Sequence, residues 1–161
     1  TGIHGRGTAE VKTNDVTARV KEGEAGFVIE CGRPGVGARF RDIQTMTQRL
    51  AASGAEFEKN NPVTSLMTDP ARGLIREDIL NEKVLSAIVE IKVGLEQVPA
   101  ILQIVRGVSR ELDTVVAVGV STRCDAGGDD PLVRVLEAEG YPAYRGKTNL
   151  GLGRVTRQAA L

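Results

Sequence analysis

The strand-like run Val84 to Val93 ("VLSAIVEIKV") is the longest in the chain, and it leads straight into the clearest helical pattern. Val98, Ile101, Leu102, Val105, Val108 and Leu112 line one face of Leu95 to Leu112, and Pro99 is acceptable there because it lies in the first turn. Thr114 to Arg123 ("TVVAVGVSTR") follows as a β-branched run whose two faces are both apolar or small, the pattern of a central strand. Asp130 is placed to cap a short helix that begins at Pro131, runs through Glu139 and stops at Gly140. With a last strand expected around Leu150, the second half reads β-α-β-α-β.

The first half reads β-β-β-α-β-β. A hairpin is expected over Thr8 to Val20, turning at Asn14-Asp15, followed by a strand from Gly26 to Cys31. Phe40, Ile43, Met46, Leu50 and Ala51 then share a helical face, with Gly54 as the C-cap. Ala55 to Lys59 suits a short half-exposed strand. Pro70 and Gly73 in "DPARG" predict a hairpin with arms at Thr64 to Thr68 and Leu74 to Leu80. These elements describe an α+β protein, a mainly antiparallel sheet with helices on one side. A ferredoxin-like unit, or a duplicated variant of it, is the first choice of architecture, although the halves show no sequence self-similarity. At 161 residues, without linker or low-complexity tract, residues 1–161 are expected to form a single domain.

Lys plus Arg and Asp plus Glu number 21 each, so the chain lacks the basic excess of a general nucleic-acid binder. Aromatic residues make up only 3%, too few for base-stacking platforms. No apolar run approaches the roughly 20 residues that span a bilayer, and no signal-peptide pattern opens the chain. Cys31, Cys124 and the single histidine His4 cannot make an ordinary zinc site from Cys and His alone. The expectation is a cytoplasmic protein with free, structural cysteines, no membrane and no nucleic-acid partner.

Between strand and helix stands "ECGRPGVGARFRD" (Glu30 to Asp42), rich in glycine and arginine. Its glycines, Gly32, Gly35 and Gly37, follow G-x-x-G-x-G rather than the G-x-G-x-x-G of a dinucleotide loop, and the spacing fails. Gly146-Lys147-Thr148 lacks the glycine that a phosphate-binding P-loop needs five residues earlier, where Tyr141 stands. A weaker anion site survives at Arg33, Gly35, Gly37, Arg39 and Arg41. Glycines let an anion approach the helix start, and guanidinium groups grip carboxylate or phosphate in pairs. Against this, the glycines could serve only the turn, with the arginines solvated or paired with Glu30 and Asp42. Lys147 to Arg157 is a second basic, glycine-rich stretch with the same ambiguity.

Glu77-Asp78 is expected in a strand, where neighbours point to opposite faces and cannot cooperate. Asp125 with Asp129-Asp130 could hold a divalent cation, but capping of the next helix is the favoured role. No histidine other than distant His4 is available to activate Cys124.

Taken together, "CGRPGVGARFRDI", "NPVTSLMTDPARGLIREDILNEKVLSAIVEIKV" and "GKTNLGLGR" resemble a conserved archaeal protein family of uncharacterised function, seen in methane-forming organisms. The resemblance spans most of the chain. It implies a cytoplasmic archaeal protein linked to methanogenic coenzymes, and it carries over no functional residue. The leading functional expectation is a homo-oligomeric ligand-binding or regulatory module for an anionic small molecule or coenzyme, its cofactor unnamed. The alternatives are an enzyme acting on an anionic substrate, with a carboxylate such as Asp125 as acid or base, and an interaction subunit without a small-molecule site.

Overall fold

The computed structural model describes residues 19–33 and 35–141. Within them β1 (Glu24–Cys31), α1 (Phe40–Ala52) and β3 (Glu56–Phe57) form one β-α-β passage, and β7 (Ala87–Gly94), α2 (Val98–Ser109) and β8 (Val116–Thr122) form a second. These four strands make one antiparallel sheet in the order β3-β7-β1-β8. Between β3 and β7 the chain makes an excursion through a hairpin, β4 (Met67–Asp69) and β5 (Leu74–Ile75), and then β6 (Lys83–Val84). There β6 pairs with β2 (Ala38–Arg39), just ahead of α1. The chain is α+β, as its periodicities indicate.

Alternation explains which face of the sheet is covered. Ala25, Phe27, Ile29 and Cys31 of β1 and Val89, Ile91 and Val93 of β7 are buried with Ile43, Met46 and Leu50 of α1 and Val98, Ile101 and Val105 of α2. Apolar residues at period two therefore meet apolar residues at helical spacing, and one face of the sheet carries both helices. On the other face Val20 lies over Gly26, where a Cβ would come within 2.8 Å of its Cγ2. The Arg123 guanidinium holds that stretch by donating from Nε to the Val20 carbonyl at 2.7 Å.

Several sequence expectations need adjustment. Among the described residues β8 stands at the edge of the sheet, paired with β1 alone, rather than in its centre. Its Val116, Val118 and Val120 face the helices, while Ala117, Gly119 and Ser121 on the other face are merely small, so the run looks apolar on both sides. The hairpin about Asp69 to Gly73 forms with shorter arms, because a register irregularity interrupts β4 and both flanks curl into short 3-10 turns, Thr64–Leu66 and Glu77–Ile79. Glu77 and Asp78 thus leave the expected strand, and Asp78 pairs with Arg76. The run from Val84 splits between β6 and β7, and β7 pairs with β1 on one side and β3 on the other. Asp130 does cap α3 (Pro131–Ala138), accepting from Leu132 N–H at 2.9 Å, and Gly140 ends it at φ +76. The hairpin of 8–20 falls, up to residue 18, outside the described residues, as do His4, Gly146 to Thr148 and the tail from Lys147.

Candidate functional site

The turn after β1 is closed by one carbonyl: Gly32 O accepts from Val36 N–H at 3.1 Å and from Gly37 N–H at 2.8 Å. Two bonds tie the turn to the start of β8. Gly32 N–H donates to Val115 O at 2.9 Å, and Thr114 Oγ1 donates to Gly37 O at 2.6 Å. Gly37, at φ +76, lies beneath β6, where a Cβ would stand 2.8 Å from Val84 O and 2.9 Å from Lys83 Cε. Only glycine allows that crossing. The crossing in turn lets β2 pair with β6, placing Arg39 directly opposite Lys83.

Much of the expected anion-binding capacity is already used. At the start of α1, Arg39 N–H donates to Asp42 Oδ2 at 3.3 Å, Phe40 N–H to Glu82 O at 3.1 Å and Arg41 N–H to Leu80 O at 3.0 Å. The Gly37 N–H is spent on the turn. Arg33 is half-buried, its Nη1 3.8 Å from the carboxylate of Glu30, which is itself only 4% exposed. Gly35, Arg39, Arg41 and Lys83 are exposed, and of these the fold sets Lys83 directly opposite Arg39. Arg39 donates one guanidinium nitrogen, Nη1, to Asn81 O at 2.8 Å, which anchors its side chain to the turn before β6. Two cations facing each other across a pair of strands repel, at a cost of several tenths of a kcal/mol when exposed. Sequence reading missed Lys83, because only the β2–β6 register joins it to the arginine loop.

On the helix-free sheet face the cations Lys92 and Arg19 are both paired with carboxylates. Lys92 Nζ donates to Glu24 Oε1 at 3.1 Å and lies 3.7 Å from Glu56, while Arg19 lies 2.7 Å from Glu58. The Lys21 backbone N–H and then the Lys92 ammonium hold the Glu24 carboxyl below its usual range. Asn61 Nδ2 donates to Glu90 Oε2 at 3.0 Å. These pairs tie the face together as structure.

Asp125 stands at the other end of β8. Cys31 faces Val116 whereas Ala25 faces Thr122, so Asp125 and the arginine loop lie about 20 Å of strand apart. Asp125 is exposed, and its Oδ1 accepts from Gly127 N–H at 2.8 Å and Asp129 N–H at 2.9 Å, which folds its own loop. The two cysteines are separated in the same way, Cys31 buried and Cys124 exposed, far beyond disulfide reach. Burial, and then the Asp42 carboxylate, push the Cys31 thiol up to about 12, so it is not a nucleophile at neutral pH. Among the described residues no cluster of three or more His, Cys, Asp or Glu side chains could hold a metal ion, and no helix is long and apolar enough to cross a membrane. Compared with family models, curated proteins and solved structures, the chain matches none.

Proposed function

We propose that this protein is a ligand-binding or regulatory module that recognises an anionic small molecule or acidic coenzyme on the β2–β6 ribbon. Arg39 and Lys83 are the principal contacts, with Arg41 beside them. The observation that carries the reading is the β2–β6 register, which holds two exposed cations directly opposite each other. Such a pair weakens the apo fold slightly and becomes favourable once an anion sits between its members. Arg33, Gly35 and Gly37 then act from behind, shaping the turn that presents the cations. The acidic coenzymes implied by the archaeal resemblance are the first ligands to screen. The succession β-α-β-β-α-β, with the excursion of residues 58–86 inserted before the third sheet strand, supports a ferredoxin-like reading of the architecture.

The test is a thermal-shift and calorimetric screen against phosphorylated and carboxylated compounds. At a hundred times its dissociation constant, a ligand stabilises the fold by roughly 2.7 kcal/mol. Arg39→Gln and Lys83→Gln are each expected to weaken binding about tenfold, which is about 1.4 kcal/mol, with apo stability unchanged or slightly raised. Arg134→Gln, at an exposed position on α3, removes the same charge and should leave binding intact. Full binding by both ribbon variants would sink the proposal.

A homo-oligomer and a cytoplasmic setting belong to the same reading. The β8 edge carries no charged residue, proline or bulge along "VAVGVST" and, among the described residues, pairs only with β1. Natural edges are usually guarded by such features, and a second copy pairing there would give β8 the central place its sequence suggests. Sedimentation should show a dimer that Ala117→Lys converts to a monomer; a monomeric wild-type protein would remove this part. Two cysteines that cannot reach each other fit a reducing compartment.

A further inference from the structure

Four large apolar side chains stand exposed among the described residues, and three of them lie on backbone segments that meet at the turn presenting the cations. Leu85 is 88% exposed, Val36 45% and Val115 39%; the fourth, Val133, lies on α3. Scattered exposed apolar residues are ordinary, and it is their gathering that carries information. Backbone contacts link the three. Val36 N–H and Gly37 N–H share the Gly32 carbonyl, and Gly32 N–H reaches Val115 O. Gly37 lies under Val84 O, immediately before Leu85. The Lys83 stem crosses Gly37 as well, bringing its charge and that of Arg39 opposite to the border of the apolar group.

We propose that this end of the sheet takes an amphiphilic anion, a small soluble molecule with a phosphate or carboxylate on an apolar body. The acid group meets Arg39 and Lys83, and the body lies across Val36, Leu85 and Val115. The proposal rests on the anion-binding reading above and adds the character of the ligand. Charge complementarity selects an acid head, and the adjoining side chains have nothing polar to offer the remainder. A free small molecule fits better than a bilayer surface, because three side chains make a small patch and the chain as a whole carries no net positive charge.

Calorimetry on the full chain with octyl phosphate below its micelle concentration, inorganic phosphate and octyl glucoside tests this. Octyl phosphate is expected to bind at least about tenfold tighter than inorganic phosphate, because its chain adds apolar burial that phosphate lacks. Leu85→Ser should erase that advantage while leaving inorganic phosphate unaffected, and Lys83→Gln should weaken both. So exposed a side chain as Leu85 can be replaced without upsetting the fold, which an unchanged thermal melt would verify. Equal affinities for octyl phosphate and inorganic phosphate, or an ineffective Leu85→Ser, overturn the amphiphile and leave the anion site standing. Octyl glucoside binding as tightly as octyl phosphate also overturns it, since the acid head would then be irrelevant. Capture by anionic phospholipid vesicles that octyl phosphate does not compete with replaces the small molecule by a membrane. Binding of neither phosphate defeats the amphiphile and the anion reading together.

Discussion

Gly73→Ala is expected to lower the stability of the fold by about 2–5 kcal/mol. Gly73 closes the β4–β5 hairpin at φ +66, and a Cβ there would stand 2.3 Å from Thr47 O, 2.4 Å from Thr47 C and 2.7 Å from Gln48 N. Those are backbone atoms in the middle of α1, so no side chain can rotate aside. The left-handed conformation costs alanine about 1–2 kcal/mol, and overpacking against a fixed element adds about 1–3 kcal/mol. Displacing the hairpin also strains two bonds that dock it on α1, from Thr47 Oγ1 to Gly73 O at 2.7 Å and from Ile75 N–H to Gln44 Oε1 at 2.9 Å. Gly35→Ala is the matched control. Its φ is +68, but nothing lies within 4 Å of the added methyl, so only the conformational cost of about 1–2 kcal/mol remains. Denaturant midpoints of the two variants separate the terms, and equal losses would show that the approach to α1 is not what requires glycine. Ligand affinity should also fall in the Gly73 variant, because residues 76–82 run from the hairpin to the carbonyls of Leu80 and Glu82 that receive the first N–H groups of α1.

The same hairpin marks what the sequence could convey. Pro70 and Gly73 announce a turn through local chemistry, and the turn is present. How far its arms extend depends on pairing partners and on the pull of α1, which no local window contains. Phe40, Ile43, Met46 and Leu50 identified α1 because helical periodicity is written within a few residues of itself, and Asp130-Pro131 marked the start of α3 for the same reason. The place of β8 was hidden. Val116, Val118 and Val120 against Ala117, Gly119 and Ser121 look alike in a central strand and in an edge strand whose outer face happens to be small.

The candidate site was half legible. Arg39 and Arg41 stood out because glycines surround them, and both emerge exposed at the start of α1. Arg33 carried the same signal but turns back toward the buried carboxylate of Glu30. Lys83 had no signal at all, since "NEK" reads as a polar turn and only a strand pairing between distant segments sets it against Arg39. Helix-dipole reasoning overstated the N-terminus of α1, because the excursion before β7 supplies carbonyls to the N–H groups an anion would have used. Leu85 shows the limit most plainly, for apolar character in a strand-like run argues for burial, and it is the most exposed large apolar side chain described.

Raising the pH should destabilise this protein through Cys31, and the second large effect is expected there. Its thiol is fully buried at the end of β1 and stays protonated in the fold up to about 12, whereas in the unfolded chain it ionises near its ordinary value. Below about pH 8.5 the thiol is neutral in both states and the stability it confers is fully present. Above that the unfolded state loses the proton first, so stability falls by about 1.4 kcal/mol per pH unit until the folded thiol also ionises. The whole window is worth on the order of 4 kcal/mol, most of it from the desolvation of a thiolate and the rest from the neighbouring Asp42 carboxylate. Other groups of a protein also ionise in alkaline solution, so the readout is a difference between proteins. Between about pH 8 and about pH 11, wild-type protein should lose roughly 3 kcal/mol more than Cys31→Ala, and Cys124→Ala should track the wild type. Parallel losses in all three proteins would place the alkaline sensitivity elsewhere. Because Asp42 both receives the Arg39 N–H and faces the Cys31 thiol, ionisation of the thiol would put a second negative charge beside the base of the cationic ribbon. In the folded protein that ionisation comes only at about pH 12, so the loss of stability that begins near about pH 8.5 should precede any change in anion affinity through Cys31.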